Sequence, residues 1–231
     1  MFRRDNDDHF AKSALICLEN THNMTGGIAI SKEYTDQVGI LSKNLGIPVH
    51  VDGARIFNAS IALGISMSSL CESVDSISVC LSKGLGAPIG SLVVGNTDFI
   101  RLAKRARKRV GGGMRQAGVI ASMGMYALTH NVQRLEEDHQ RARRLAQELV
   151  SCGFFQPQQG SVDTNIVYFS LPSTCTLSKQ EFTNRLFSEY GVQVGFGYSR
   201  NGDWFRIVTH LDIKDEDIDR ALEGIRKLGL R

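Results

Sequence analysis

Asp75-Ser76-Ile77-Ser78-Val79-Cys80-Leu81-Ser82-Lys83-Gly84-Leu85-Gly86-Ala87-Pro88-Ile89-Gly90-Ser91 delivers one lysine from an apolar strand into a glycine-rich turn. Upstream, Ile47-Pro48-Val49-His50-Val51-Asp52-Gly53-Ala54-Arg55 repeats the pattern: an apolar run ends in a carboxylate, with an arginine three residues on. Ligands of open α/β sheets sit outside the carboxyl ends of the strands. Two strand ends therefore offer Lys83 and Asp52 to one crevice. The cofactor whose chemistry needs both groups is pyridoxal phosphate, because a lysine forms its Schiff base and an acid partners its pyridinium nitrogen.

Outward from this stretch, short apolar or β-branched runs at Ala14 to Glu19, Ile47 to Asp52, Ile77 to Leu81 and Ile89 to Val94 read as buried strands of a sheet covered on both faces. Glu33 to Leu45 reads as a crossover helix between the first two, and Phe57 to Leu63 begins another. After Gly118 the texture changes to long helices, Ala117 to Leu128 and Val132 to Val150. The second carries Val132, Leu135, Ala142, Leu145 and Leu149 on one face and charges on the other. A strand at Asn165 to Ser170, a helix at Ser178 to Tyr190, strands near Val192 to Gly195 and Trp204 to Val208, and a helix built on Ile218, Leu222, Ile225 and Leu228 complete the chain. The expectation is an α/β layer protein with a larger domain over residues 1–130, its sheet mostly parallel, and a small α+β domain over residues 131–231.

The 231 residues suffice for a real core, and a net charge of +3 is far short of a dedicated nucleic-acid binder. A phosphate-bearing small molecule accounts for the balance, so no nucleic-acid partner is expected. Five cysteines without paired spacing, two of them (Cys17 and Cys80) in strand-like runs, read as free core thiols in a reducing, cytoplasmic setting. The charged start has no apolar segment of a secretory signal, and no apolar run approaches a membrane span, so no membrane partner is expected.

Several residues carry chemistry by type and place. Gly84, Gly86 and Gly90 let backbone approach a bulky ligand, and the apolar strand is expected to put Lys83 in a partly desolvated crevice where its amine is activated. Asp52 either faces a pyridine nitrogen or caps the helix that follows. The polar cluster Glu19-Asn20-Thr21-His22-Asn23 follows a strand at the same sheet edge, where a cofactor contact from Asn23 competes with a solvated loop. The run Arg101 to Arg109, followed by Gly111-Gly112-Gly113-Met114-Arg115-Gln116, offers cations and glycine amides to a phosphate, without the pattern of a P-loop. Arg206 stands in the apolar strand Trp204-Phe205-Arg206-Ile207-Val208, where an anion is expected to meet it, and its planar fork suits a carboxylate. His210 and Asp212 read as turn and cap residues.

Glu19-Asn20-Thr21-His22-Asn23, His50-Val51-Asp52-Gly53-Ala54-Arg55, Ser82-Lys83-Gly84-Leu85-Gly86, Gly111-Gly112-Gly113-Met114-Arg115-Gln116-Ala117-Gly118 and Arg206-Ile207-Val208-Thr209-His210 together resemble the low-specificity L-threonine aldolases, in that family's order. The resemblance runs from about His9 to the end and implies the fold of type-I pyridoxal-phosphate transferases. It also implies a homo-oligomer and cleavage of L-threonine or L-allo-threonine to glycine and acetaldehyde. By the same resemblance Arg55 contacts the cofactor's 3-oxygen, Lys108 and Arg115 hold its phosphate, Arg206 binds the substrate carboxylate, and His9 lies near the substrate hydroxyl. Members of that family are longer at the N-terminus, where they carry a phosphate-cradling loop and a stacking histidine. The chain is therefore expected to be truncated and to bind the cofactor weakly alone. The alternatives are a non-catalytic fragment that associates with full-length subunits, or another type-I enzyme such as a β-eliminating lyase or aminotransferase.

Overall fold

The computed structural model describes residues 2–3, 7–154, 162–197 and 204–230. Contacts divide the chain into two compact units: Met1–Thr21 with Ile30–Thr129, and His22–Ala29 with His130–Arg231.

In the first unit, β1 (Ile16–Glu19), β2 (Val49–Gly53), β3 (Ser76–Cys80) and β4 (Ser91–Gly95) form one sheet in chain order. The helix α1 (Lys32–Leu45) follows β1, while α2 (Ile56–Leu63) and α3 (Met67–Leu70) follow β2. Parallel neighbours need such crossovers, and β1, β2 and β3 are parallel. The first crossover is punctuated at both ends: Ser31 caps α1 by accepting the Tyr34 N–H at 3.3 Å, and Gly46 closes it in the left-handed conformation. Val49, Val51, Ile77 and Val79 of the two central strands are buried.

The outer strands depart from the sequence reading. β4 runs antiparallel to β3, and Leu92, Val93 and Val94 are all exposed. β1 occupies the opposite edge, with Cys17 exposed. Hydrophobic composition signals a strand but not its rank in the sheet. Each edge strand pairs with one neighbour among the described residues, and side-chain burial depends instead on what packs against the sheet faces. The cysteines follow suit: all five are free, yet none is buried, so the expectation of core thiols is wrong. Two helices complete this unit, α4 (Thr97–Arg109) and α5 (Gly118–His130).

The second unit holds α6 (Leu135–Ser151), β5 (Ile166–Phe169), α7 (Lys179–Tyr190), β6 (Gly195–Phe196), β7 (Phe205–Val208) and α8 (Asp215–Gly229). Its antiparallel sheet has the order β5-β7-β6. The core forms between this sheet and the apolar stripes of α6, α7 and α8, through Leu145, Leu149, Phe182, Leu186, Ile225 and Leu228. Phe169 and Phe205 stack with centroids 5.1 Å apart, and Phe182 meets Phe205 at 5.2 Å. A capping box fixes the start of α7, since Glu181 N–H donates to Ser178 Oγ at 3.2 Å and Ser178 N–H to Glu181 Oε2 at 2.9 Å. Its end is Gly191, in the left-handed conformation.

Candidate active site

Asp52 pairs with Ser78 and Gly53 with Val79 in the parallel β2–β3 ladder, so both chains leave the sheet at the same end. Three residues beyond β3 comes Lys83, in a loop that closes on itself. Leu81 N–H donates to Gly90 O at 3.0 Å, Ala87 N–H to Leu81 O at 3.0 Å, and Gly86 N–H to Lys83 O at 2.9 Å. Buried Leu81, Leu85 and Ala87 plug the loop into the unit, and the positive φ of Gly86 and Gly90 makes the turn possible. The loop therefore holds Lys83 at the carboxyl end of β3. Its side chain is exposed, not sunk in the desolvated crevice that the apolar strand suggested, because the apolar residues of the loop turn inward and leave the lysine at the surface.

The charge of Lys83 is felt by Cys80. Burial pushes the Cys80 thiol up, but hydrogen bonds to Ser82 and Ser91 and the nearby Lys83 cation outweigh it, leaving the thiol below its ordinary value. Asp52 is exposed, and its Oδ1 accepts the Ala54 N–H at 3.0 Å. The N-cap position of α2 belongs to Arg55, so Asp52 does not cap that helix. Arg55 itself is half-buried.

Lys108 lies in the last turn of α4 beside Arg107 and Arg109, where cations complement the helix dipole whether or not an anion binds. The Lys108 amine folds over the glycine loop so closely that a Cβ on Gly113 would stand 2.8 Å from Nζ. Arg115 is exposed beyond it. One expectation fails here. The Gly111 and Gly112 N–H groups donate to Lys108 O (3.2 Å) and Arg107 O (2.8 Å), closing the helix end, and are thus already spent. These two amides are therefore not open to a ligand.

The His9 side chain is 88% exposed, with Nδ1 2.7 Å from Asp7 Oδ1. Hydrogen bonds from the His9 backbone and then its ring hold the Asp7 carboxyl below its usual range.

In the second unit, Arg206 on β7 lies opposite Tyr168 and Gly195. Its Nη1 donates to Asn23 Oδ1 at 2.6 Å. The sequence led us to expect an anion against Arg206, whereas this contact is a neutral amide. Asn23 begins a short 3-10 turn, Asn23–Thr25, in the loop His22–Ala29. Two residues that sequence reasoning missed secure that loop: Thr164 Oγ1 donates to Gly27 O at 2.7 Å, and Asp163 Oδ2 accepts the Ala29 N–H at 3.0 Å. No local pattern marks them. His210 and Asp212 form a turn, with Asp212 N–H directed at His210 Nδ1 at 3.4 Å, while Lys214 takes the N-cap of α8.

Among the described residues no group of histidine, cysteine and acidic side chains could hold a metal, and no helix is long and apolar enough to cross a membrane. Comparison with known proteins bears on the family and the fold. The low-specificity L-threonine aldolase 1 of Arabidopsis thaliana is 41% identical over 213 residues, covering 92% of this chain and 58% of that protein. The low specificity L-threonine aldolase of Escherichia coli K12 is 39% identical over 218 residues, covering 93% of this chain and 60% of that protein. The chain thus spans about 60% of the length of these curated relatives.

Among solved structures, Leishmania major threonine aldolase superposes with a TM-score of 0.77 at 17% identity, covering 97% of this chain and 64% of that one. An alanine–glyoxylate aminotransferase from Nostoc sp. gives 0.69 at 16% identity, covering 94% and 62%. Both show the same type-I fold. A family profile described as beta-eliminating lyase matches residues 2–172, and with most of its length inside that match this chain belongs to the beta-eliminating lyase family.

Proposed function

We propose that the chain carries the lysine, the acid and the carboxylate-binding arginine of a pyridoxal-phosphate carbon–carbon lyase that cleaves L-threonine or L-allo-threonine to glycine and acetaldehyde. The observation that carries this reading is the shared exit of β2 and β3, which brings Asp52 and the Lys83 loop to one end of the sheet. An amine and a carboxylate on neighbouring strand ends fit this cofactor's needs. When bound, the cofactor supplies an electron-accepting ring that makes cleavage of the Cα–Cβ bond accessible.

The chain's own residues do the rest. Lys83 would supply the attachment amine and an acid that returns a proton to Cα after the Cα–Cβ bond has broken. Asp52 would keep a proton on the ring nitrogen and Arg55 would meet the 3-oxygen, while Asn23 lies next to Arg206. Lys108 and Arg115 would neutralise the phosphate. Arg206 would take the substrate carboxylate with two parallel N–H groups and so set which Cα bond is oriented for cleavage. His9, with its ring on Asp7, takes the β-hydroxyl proton.

The aldolase reading, over the aminotransferase or β-elimination chemistry of the same fold, is supported by the relatives near 40% identity. A homo-oligomer is what the resemblance to the aldolases implies, and a cytosolic setting is supported by five free cysteines.

The test is Arg206→Lys in the cofactor-loaded enzyme. A point charge cannot reproduce two-point capture of a carboxylate, so KM for threonine should rise strongly while the cofactor's visible band is retained. An unchanged KM would remove Arg206 from the substrate site.

A further inference from the structure

Arg206 and the residues that hold its partner belong to one rigid frame. β5 and β7 are paired antiparallel, with Tyr168 opposite Arg206. The pairing extends past the strand ends, where Asn165 Nδ2 donates to Thr209 O at 2.8 Å and Thr209 N–H to Asn165 O at 3.0 Å. Thr209 Oγ1 also donates to Asp138 O at 2.7 Å, tying the frame to α6. Thr164, Asn165 and Thr209 are all buried.

From the start of this frame two side chains reach back to the loop His22–Ala29. Thr164 Oγ1 binds the Gly27 carbonyl and the Asp163 carboxylate binds the Ala29 N–H. The fit is close: Gly27 has φ +72°, and a Cβ there would stand 2.6 Å from Thr164 Oγ1 and 3.3 Å from Ile166. The loop is also closed internally, by Gly26 N–H to Asn23 O at 3.1 Å, Gly27 N–H to His22 O at 3.0 Å and Thr25 Oγ1 to His22 O at 3.0 Å. A loop fastened at Gly27 and Ala29 and knotted at Asn23 presents the Asn23 amide at a fixed point, and Arg206 Nη1 meets it at 2.6 Å.

We propose that Asn23, held through Asp163 and Thr164, is a positioning residue that sets the Arg206 guanidinium for the substrate carboxylate. This rests on the reading of Arg206 as the carboxylate site. An amide is the right chemical class for the task. Its oxygen accepts one guanidinium N–H and fixes the plane of the fork, yet leaves the cation's charge uncompensated by that partner. A carboxylate at residue 23 would pair with Arg206 and compete with the incoming anion.

The hold on Arg206 can be read without turnover, by phenylglyoxal labelling of arginines followed by peptide mass spectrometry. The chain is used with pyridoxal phosphate present, with and without excess glycine. In the parent protein Arg206 should label slowly, and more slowly still with glycine. Asn23→Ala and Thr164→Val should speed Arg206 labelling several-fold, and Thr164→Ser, which keeps the hydroxyl, should restore the parent rate. Asn23→Asp should abolish the glycine effect.

Arg134, ion-paired to buried Asp138, is the internal control, since unfolding would expose both arginines together. Unchanged Arg206 labelling in both Asn23→Ala and Thr164→Val overturns the proposal whatever glycine does. Labelling that responds to these variants while glycine never protects Arg206 overturns the carboxylate reading and leaves the hold on the guanidinium standing.

Discussion

Arg134 grips both carboxylate oxygens of Asp138, Nη2 to Oδ1 at 2.7 Å and Nη1 to Oδ2 at 3.2 Å, and Asp138 is wholly inaccessible to solvent. Burial pushes the Asp138 carboxyl up, and Arg134 opposes that shift. Removing one partner of a buried pair costs about 3–5 kcal/mol, because the other is left uncompensated. Arg134→Ala should lower stability by that order in urea denaturation at neutral pH. A midpoint equal to that of the parent would show that Asp138 is not sustained by this arginine.

His139, one residue on, is also buried, and burial first of all drives its pKa from an ordinary 6.5 down to about 4. Among the charges that act on it, Glu136 and Asp163 push the value up and Arg143 pushes it down. The folded protein thus holds this imidazole neutral, while the unfolded chain takes up a proton below pH 6.5. The unfolded state binds more protons between these two values, so the contribution is complete above 6.5 and is lost as pH falls through 4. The loss is on the order of 3 kcal/mol. His139→Gln should show a shallower fall of unfolding free energy over this interval than the parent, and parallel curves would contradict the assignment.

Cys80 reports on Lys83. Its thiol is held down in part by the Lys83 charge, against the opposing effect of burial. Lys83→Met should raise the thiol pKa and slow alkylation of Cys80 by iodoacetamide near neutral pH, because the thiolate is the reacting form. An equal or faster rate would place the ammonium too far from the sulfur to act on it.

Much of the frame was legible. β2 and β3 announce themselves as apolar runs, and the helices read over Glu33 to Leu45 and Ser178 to Tyr190 match α1 and α7 to within a residue at each end. What local pattern could not carry was rank and reach. Leu92, Val93 and Val94 look like core residues by composition and are exposed, because exposure depends on what packs against the faces of a strand. The charges of α6 are expected on its outer face, yet Asp138 follows Leu135 by three residues and falls on the buried stripe, where Arg134 makes it tolerable.

In the candidate site, Lys83, Asp52 and Arg206 stood out by residue type against an apolar strand. The Asn23–Arg206 bond spans 183 residues and the Thr164–Gly27 bond 137, and no period or motif encodes such a distance. The spent amides of Gly111 and Gly112 likewise emerge only when the end of α4 is built.

The central claim is that Lys83 is the attachment point, and borohydride reduction of the protein loaded with pyridoxal phosphate tests it most directly. Reduction should bleach the visible band and leave a stable pyridoxyl mass on the peptide containing Lys83, and Lys83→Ala should give no such peptide. A pyridoxyl group fixed to another lysine, with Lys83 unmodified, would contradict the account.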